Sequence, residues 1–237
     1  MKKHKKWVIA LALFILLFIA VLCVCISHSK NKRLIEAIEN QDLTEVRSAI
    51  ERGASVRALY PELSLFPVII VPESPLQIAV EQPESQTSRE IISLLLSEGA
   101  DPNVSTRTRY LKETPLLTAC WQKKTETARL LIAAGADINA WDEHGSVLSA
   151  LLEHGNMWRD WNRPSFVLFR DLIDAGASLD MPYGRTVLHA AAMAENTAAW
   201  DYLLEKTALD PLQKDEEGYA AMDYWESTQS QHINSET

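Results

Sequence analysis

The side chains best suited to catalysis or metal binding are spread thinly along the 237-residue chain. No Walker loop, G-x-S-x-G turn or dinucleotide fingerprint occurs, and the 32 Asp and Glu residues are dispersed rather than gathered in a motif. Neither the cysteines nor the histidines have the spacing of a zinc site. They are Cys23, Cys25, Cys120, His4, His28, His144, His154, His189 and His232. We therefore predict a non-enzymatic protein with no catalytic residue, no metal site and no cofactor.

The charge is divided unevenly along the chain. Seven of the 23 Lys and Arg residues lie in residues 1–33, whereas all 32 Asp and Glu residues lie in 34–237. The formal charge of −9 therefore combines a basic head of +7 with a body of −16. Such a body is unsuited to general nucleic-acid binding, which needs a basic face. It favours a protein partner with a basic patch.

Residues 7–26 (WVIALALFILLFIAVLCVCI) contain no charged residue, Pro or Gly. As a helix, this segment would span about 30 Å, the thickness of a bilayer's hydrocarbon core. A cleaved signal peptide has a shorter apolar run, and a lipoprotein signal needs a small residue before its Cys, so an uncleaved transmembrane signal anchor fits best. Residues 1–6 would form a cytoplasmic tail, and residues 27–33 a juxtamembrane linker.

The orientation of this anchor follows from the flanking charges. Four Lys precede it and three basic residues follow it, which favours a cytoplasmic N-terminus. The body would then lie in the periplasm of a Gram-negative cell, attached to the inner membrane. Because the charge difference is small, an inverted, cytoplasm-facing topology remains an alternative.

The body contains an internal repeat. Four helical patterns end in Gly-Ala, with the glycines at 53, 99, 135 and 176. Between them recurs a Ser/Thr, then Pro or Val, then Leu, at the start of a helix rich in small residues. The copies are SPLQIAV (74–80), TPLLTAC (114–120), SVLSALL (146–152) and TVLHAAA (186–192), with a weaker GYAAMDYW (218–225). A hydroxyl cap, a proline in the first turn and a closing glycine are typical helix boundaries.

These motifs resemble the ankyrin repeat over about residues 32–228. The resemblance implies an all-α ankyrin-repeat solenoid of about five helix-turn-helix units with a C-terminal cap helix, preceded by the transmembrane helix. The domain would span 34–228, before a polar tail at 229–237. Unit five is atypical, because Thr207 replaces its closing glycine. The boundaries are 32–57, 73–105, 106–140, 141–181 and 182–214 for the units, and 215–228 for the cap helix.

The same resemblance suggests where a partner would bind, because ankyrin-like domains usually use their hairpin fingers and first-helix face. It also gives His189 a turn hydrogen bond and Cys120 a buried position. The partner-binding candidates at matching positions are Tyr110, Trp121, Trp141, Glu143, His144, Tyr183, Arg185, Met193, Glu216, Glu217 and Tyr219.

Three insertions interrupt the pattern. Residues 57–73 are apolar with three prolines, and would form either a lid over unit one or a loop that contacts a partner or the membrane. Residues 106–112 carry the main basic cluster of the body, either as a solvated finger or as a contact for an acidic partner. Residues 153–164 contain two tryptophans that would pack on the second-helix layer or form a helical extension.

Together these features predict a membrane-anchored protein-interaction module outside the cytoplasm. A concrete hypothesis, which the resemblance permits, is an immunity protein that binds and blocks a toxic effector enzyme. The alternatives are an envelope stress or maintenance scaffold that supports a periplasmic enzyme, and a cytoplasm-facing adaptor.

Overall fold

The computed structural model describes residues 30–57, 60–63, 70–107, 112–142, 145–152 and 164–235. The predicted anchor at 7–26 and its flanks at 1–6 and 27–29 lie outside these ranges. Within the described ranges, no helix combines the length and apolar character needed to cross a bilayer. The chain divides into two compact units, the first holding described residues up to 57 together with 74–100, and the second holding the rest.

Among its described residues, the first unit contains four helices. They are α1 (helical residues 30–39), α2 (Leu43–Glu51), α3 (Pro75–Glu81) and α4 (Gln86–Ser97). Leu34, Ile38 and Val46 form part of its core, as their spacing predicts. The Ser74 hydroxyl accepts a hydrogen bond from the Gln77 N–H at 3.0 Å, and Pro75 opens α3. The predicted cap and proline start are therefore confirmed.

The second unit contains two short hairpins and seven α-helices among its described residues. The helices α5, α7, α9 and α11 pack in sequence as one layer, and α6, α8 and α10 pack against them as a second. The elements are β1 (Tyr60–Leu63), β2 (Ile70–Glu73), β3 (Thr106–Arg107), β4 (Lys112–Glu113), α5 (Pro115–Trp121), α6 (Thr125–Ala133), α7 (Val147–Leu152), α8 (Pro164–Asp174), α9 (Val187–Met193), α10 (Thr197–Lys206) and α11 (Ala221–Ser235).

Asparagine side chains tie successive repeats of this unit together. Asn103 Nδ2 donates to the Gly135 carbonyl at 3.0 Å, while its Oδ1 accepts from the Asp137 N–H at 2.7 Å. One repeat later, Asn139 Oδ1 accepts from the Ser178 N–H at 2.8 Å. These bonds satisfy backbone groups left open beyond the helix ends, and they fix each connecting loop relative to the next.

Aromatic rings fill the outer layer towards the C-terminus. Phe166 stacks on Phe169 at 5.9 Å between ring centroids, and Tyr202 meets Phe166 edge-on at 5.9 Å. Trp200 of α10 stacks on Trp225 of α11 at 4.7 Å, which attaches the last helix to the last repeat.

The structure adds to the predicted elements in the insertions. The ends of 57–73 are strands, since β1 pairs with β2 antiparallel, and β3 pairs with β4 across the second insertion. The predicted helical repeats are confirmed, but the prediction that the fold is all-α is corrected by these two short hairpins. Residues 58–59, 64–69, 108–111 and 153–163 lie outside the described ranges, so the predicted roles of the insertions stay predictions.

The final helix differs from the prediction at both of its ends. The final helix begins at Ala221 rather than at 215, because residues 214–220 form a turn closed by a bridge between Lys214 and Ala220. It also continues beyond 228 to Ser235, since no Pro or Gly interrupts it. The fifth repeat (182–214) ends differently from the others, as predicted. Thr207 has an extended backbone, and its hydroxyl donates to the Leu203 carbonyl at 2.6 Å.

Candidate functional site

Three turns of the second unit, here called fingers 141–146, 180–186 and 214–220, connect consecutive repeats. Each is closed by an antiparallel bridge between its first and last residues. Each also carries one exposed aromatic side chain: Trp141 is 60% exposed, Tyr183 62% and Tyr219 54%. Rigid aromatic side chains bury a large area at low entropic cost, so they are frequent anchors of protein interfaces.

Finger 180–186 has the backbone of a type I′ turn. Tyr183 (φ 65°, ψ 30°) and Gly184 (φ 70°) are both left-handed, and the Arg185 N–H donates to the Pro182 carbonyl at 3.4 Å. Asn-Gly is the usual central pair of such a turn, because Asn tolerates the left-handed region. Gly184 is required by its surroundings as well, since a Cβ there would lie 3.3 Å from the Glu216 nitrogen.

Fingers 180–186 and 214–220 contact each other directly. The Glu216 N–H donates to the Tyr183 carbonyl at 3.0 Å, and Arg185 Nε donates to Asp215 Oδ2 at 3.2 Å. The guanidinium of Arg185 also lies 3.4 Å from Glu217 and 5.9 Å from the centre of the Tyr224 ring. The positive charge of Arg185 is therefore neutralised within the protein.

Asp215 is the buried centre of this arrangement. Its Oδ1 accepts from the N–H groups of Glu217 and Tyr219, both at 3.0 Å, and its Oδ2 accepts from the Tyr224 hydroxyl at 2.9 Å and from Arg185. Burial alone would raise the pKa of this carboxyl. The hydrogen bonds from the Tyr219 N–H, Tyr224, Arg185 and the Glu217 N–H outweigh burial and hold the pKa at about 2. Asp215 is therefore ionised near neutral pH, and its carboxylate holds the two fingers together.

Five of the residues predicted from the sequence are brought together here. We call this set the fingertip patch: Tyr183, Arg185, Glu216, Glu217 and Tyr219. The Tyr219 ring lies 5.8 Å from that of Tyr224, whose hydroxyl bonds to Asp215. The Glu216 carboxylate is exposed and makes no ion pair with the described residues. The patch therefore combines exposed aromatic rings with an unpaired carboxylate.

The other predicted binding residues are not part of this patch. Trp141 belongs to the preceding finger. Trp121 and Met193 are the last residues of α5 and α9, where Trp121 is half-buried and Met193 is 50% exposed. Tyr110, Glu143 and His144 lie outside the described residues. Partner binding by any of these residues stays a prediction.

Two residues important to the patch were not among the candidates. Asp215 is the aspartate of a D-x-x-G finger pattern, so its turn-forming role could have been read from the motif. Tyr224 lies nine residues further along in α11, and its contact with Asp215 depends on the turn between them. No sequence pattern indicates that contact.

Among the described residues, His189 and Cys120 are buried. The Thr186 N–H donates to His189 Nδ1 at 3.0 Å, which confirms the predicted turn hydrogen bond. Burial lowers the pKa of His189, against the opposing effect of the nearby Tyr219 carbonyl, so the ring is neutral. Burial raises the pKa of the Cys120 thiol to about 12, which makes it unreactive. Within the described ranges, no group of three or more His, Cys, Asp or Glu residues could hold a metal ion.

Comparison with known proteins agrees with the repeats seen in the structure. Residues 34–142 match the family described as "Ankyrin repeats (3 copies)", and residues 183–216 match "Ankyrin repeat". The two matches together cover more than half of the chain, which therefore belongs to the ankyrin repeat family. Ankyrin repeats are protein-interaction modules, so the chain is a protein-binding module.

Curated relatives match over part of their length. The mitochondrial disaggregase of Homo sapiens is 31% identical over 163 residues, and that of Bos taurus is 32% identical over 133. Each alignment covers 56% of this chain but only 22% and 19% of the respective relative. The chain thus spans about a fifth of the length of these proteins.

A solved structure shares the fold. The match is one chain of a structure described as "Bd0816 Predatory Endopeptidase from Bdellovibrio bacteriovorus in complex with immunity protein Bd3460". It has a TM-score of 0.62 at 23% identity, covering 84% of this chain and 93% of that one.

Proposed function

We propose that this protein is a membrane-anchored immunity protein, which holds its ankyrin repeats outside the cytoplasm and there binds and blocks a toxic effector enzyme. The observation that carries the proposal is the fingertip patch, which presents exposed aromatic side chains on the fingers of an ankyrin domain. Exposed aromatic residues cost solubility in a monomer, and a protein partner would bury them.

The charge of the body supports a basic partner. A formal charge of −16 over residues 34–237 would attract a cationic protein and accelerate its association. A blocked enzyme needs only to have its active-site cleft covered, so inhibition requires no chemistry from the ankyrin domain.

Two further observations agree with this role. The fold is shared with a chain from a complex between an endopeptidase and its immunity protein. Residues 7–26 have the length and apolar composition of a signal anchor, which would retain the repeats at the inner membrane facing the periplasm. The first observation supports the proposal by structural similarity, and the second supports it by sequence.

Topology is tested with reporters fused after Thr237. A phosphatase that is active only in the periplasm should be active, and a fluorescent protein that folds only in the cytoplasm should be dark. The opposite pattern would overturn the proposed location and favour a cytoplasm-facing adaptor.

The immunity role is tested by deleting the gene and mixing the mutant with parental cells. The mutant should lose viability, and the full chain expressed in trans should restore it. A mutant that survives equally well, but fails under oxidative stress, would overturn the immunity role and favour an envelope maintenance scaffold.

A further inference from the structure

We infer that the fingertip patch binds a Lys- or Arg-bearing segment of the protein partner, and that Tyr183 supplies its main contact. This inference rests on the proposed function in one respect, namely that the chain binds a protein. Beyond that, it specifies that the partner's contact segment is cationic and that binding depends on Tyr183.

The backbone of Tyr183 favours a contact outside the chain. An aromatic residue in the left-handed region is strained, and a type I′ turn prefers Asn or Gly at this position. The side chain makes no hydrogen bond, ion pair or ring contact with the described residues, and it is 62% exposed. The fold therefore gains little from this ring while accepting its strain. A contact outside the chain accounts for a tyrosine at such a place.

The charges around the Tyr183 ring favour a cationic side chain as its contact. Fingers 180–186 and 214–220 carry four acidic residues against two basic ones, a formal charge of −2. Arg185 is already paired with Asp215 and Glu217, which leaves Glu216 and Asp180 without an ion pair among the described residues. An incoming cation could lie against the face of a tyrosine ring and pair with the Glu216 carboxylate.

Other occupants fit this patch less well. An acidic segment would be repelled by Glu216 and Asp180. A purely apolar segment would have to desolvate the Glu216 carboxylate without giving it a partner, which is costly. A Lys or Arg side chain satisfies both the ring and the carboxylate.

The patch is also held rigid before binding. The backbone of Glu216 is fixed to the Tyr183 carbonyl, and Asp215 fixes Arg185, Tyr224 and the N–H groups of finger 214–220. A preorganised surface loses little conformational entropy on binding, so weak individual contacts can add up to useful affinity.

The test uses three fluorescein-labelled peptides of 12 residues, built from Gly and Ser with four Arg, four Glu or four Leu. Binding to the purified full chain in mild detergent is measured by fluorescence anisotropy. The Arg peptide should bind most tightly, and its Kd should increase with salt. Tighter binding of the Glu or Leu peptide would overturn the inference.

Variants separate the patch from the general acidity of the body. Tyr183→Asn should raise the Kd for the Arg peptide about five-fold while leaving the unfolding midpoint unchanged or higher. Leu212→Ala is the matched control, since Leu212 is 65% exposed but outside the patch, and it should change the Kd less than 1.5-fold (about 0.2 kcal/mol). Likewise Glu216→Gln should weaken binding about three-fold, whereas Glu98→Gln, at an exposed position outside the patch, should not. Equal Kd values for Tyr183→Asn and the wild type would overturn the inference.

The same variants separate this inference from the proposed function. A Tyr183→Asn chain that still protects the deletion strain and still binds its toxic enzyme with wild-type affinity would overturn the inference and leave the immunity role intact. If deletion causes no sensitivity, the proposed function fails, and the peptide titrations still decide the inference.

Discussion

Replacing Asp215 by Asn should test whether the buried cluster stabilises the C-terminal part of the domain. Asn retains one oxygen that can accept from the N–H groups of Glu217 and Tyr219. Its amide nitrogen, however, would face the Arg185 guanidinium, which can only donate. The change therefore removes the buried charge and sets an amide donor against the Arg185 donor, with almost no change in volume.

The magnitude follows from the pKa of Asp215. A shift from 3.8 to about 2 means that the folded protein favours the ionised carboxyl by about 2 kcal/mol. The free energy of unfolding of Asp215→Asn should be lower by a similar amount near neutral pH. Glu217→Gln is the control, because its carboxylate is 64% exposed and its ion pair with Arg185 should contribute less than about 0.5 kcal/mol.

The assay is urea unfolding followed by tryptophan fluorescence, with Trp200 and Trp225 reporting on this region. Because the folded pKa is depressed, the stabilisation is complete above about pH 4 and is lost as the pH falls towards 2. The difference between wild type and Asp215→Asn should therefore shrink over that interval. A difference no larger than that of Glu217→Gln, or one that persists undiminished at pH 2, would refute this account of Asp215.

Four other predictions address individual residues. Tyr183→Asn should raise the free energy of unfolding by up to about 1 kcal/mol in urea melts, because it relieves a left-handed tyrosine; a loss above 1 kcal/mol would show that the ring packs. Gly135→Ala should lower the melting temperature through backbone strain of about 1 kcal/mol, since φ is +89° and no atom lies within 4 Å of the added Cβ. Lys123→Met should lower the free energy of unfolding in urea melts by about 1 kcal/mol, because Nζ donates to the carbonyls of Ala150 and Leu151 at 2.7 and 2.9 Å. Iodoacetamide should modify Cys120 only in denaturant, as read by mass spectrometry at pH 8; rapid labelling of the folded chain would contradict its burial and its pKa of about 12.

The helical repeats could be predicted because their boundaries are local. Thr114 caps α5 through the Leu117 N–H, Pro115 occupies the first turn, and Gly135 is left-handed after α6. Each of these interactions joins residues within a few positions of one another. A short motif therefore carries the information that the backbone needs.

The buried cluster could not be predicted because its contacts span long separations. Arg185 and Asp215 are 30 residues apart, and Arg185 and Tyr224 are 39 apart. Their meeting depends on how finger 180–186 lies against finger 214–220, which no pattern within either finger reveals. The early start predicted for the last helix has a different, local origin, since Asp215 forms a turn with the N–H groups of Glu217 and Tyr219, which its D-x-x-G motif could have indicated.

The formal charge of the body overstates what a partner would meet. Asp142 and Asp215 both occupy the D-x-x-G position of a finger and both are buried, with Asp142 Oδ1 accepting from the Gly145 N–H at 3.0 Å. Their carboxylates accept hydrogen bonds within the turns and are not accessible to the side chains of a partner. The charge open to a partner is that of exposed carboxylates such as Glu216. Glu216→Gln should therefore reduce the salt dependence of partner binding at unchanged stability, whereas Asp215→Asn should reduce stability first. Equal effects of the two changes on both quantities would mean that turn-forming and exposed acids are not functionally distinct.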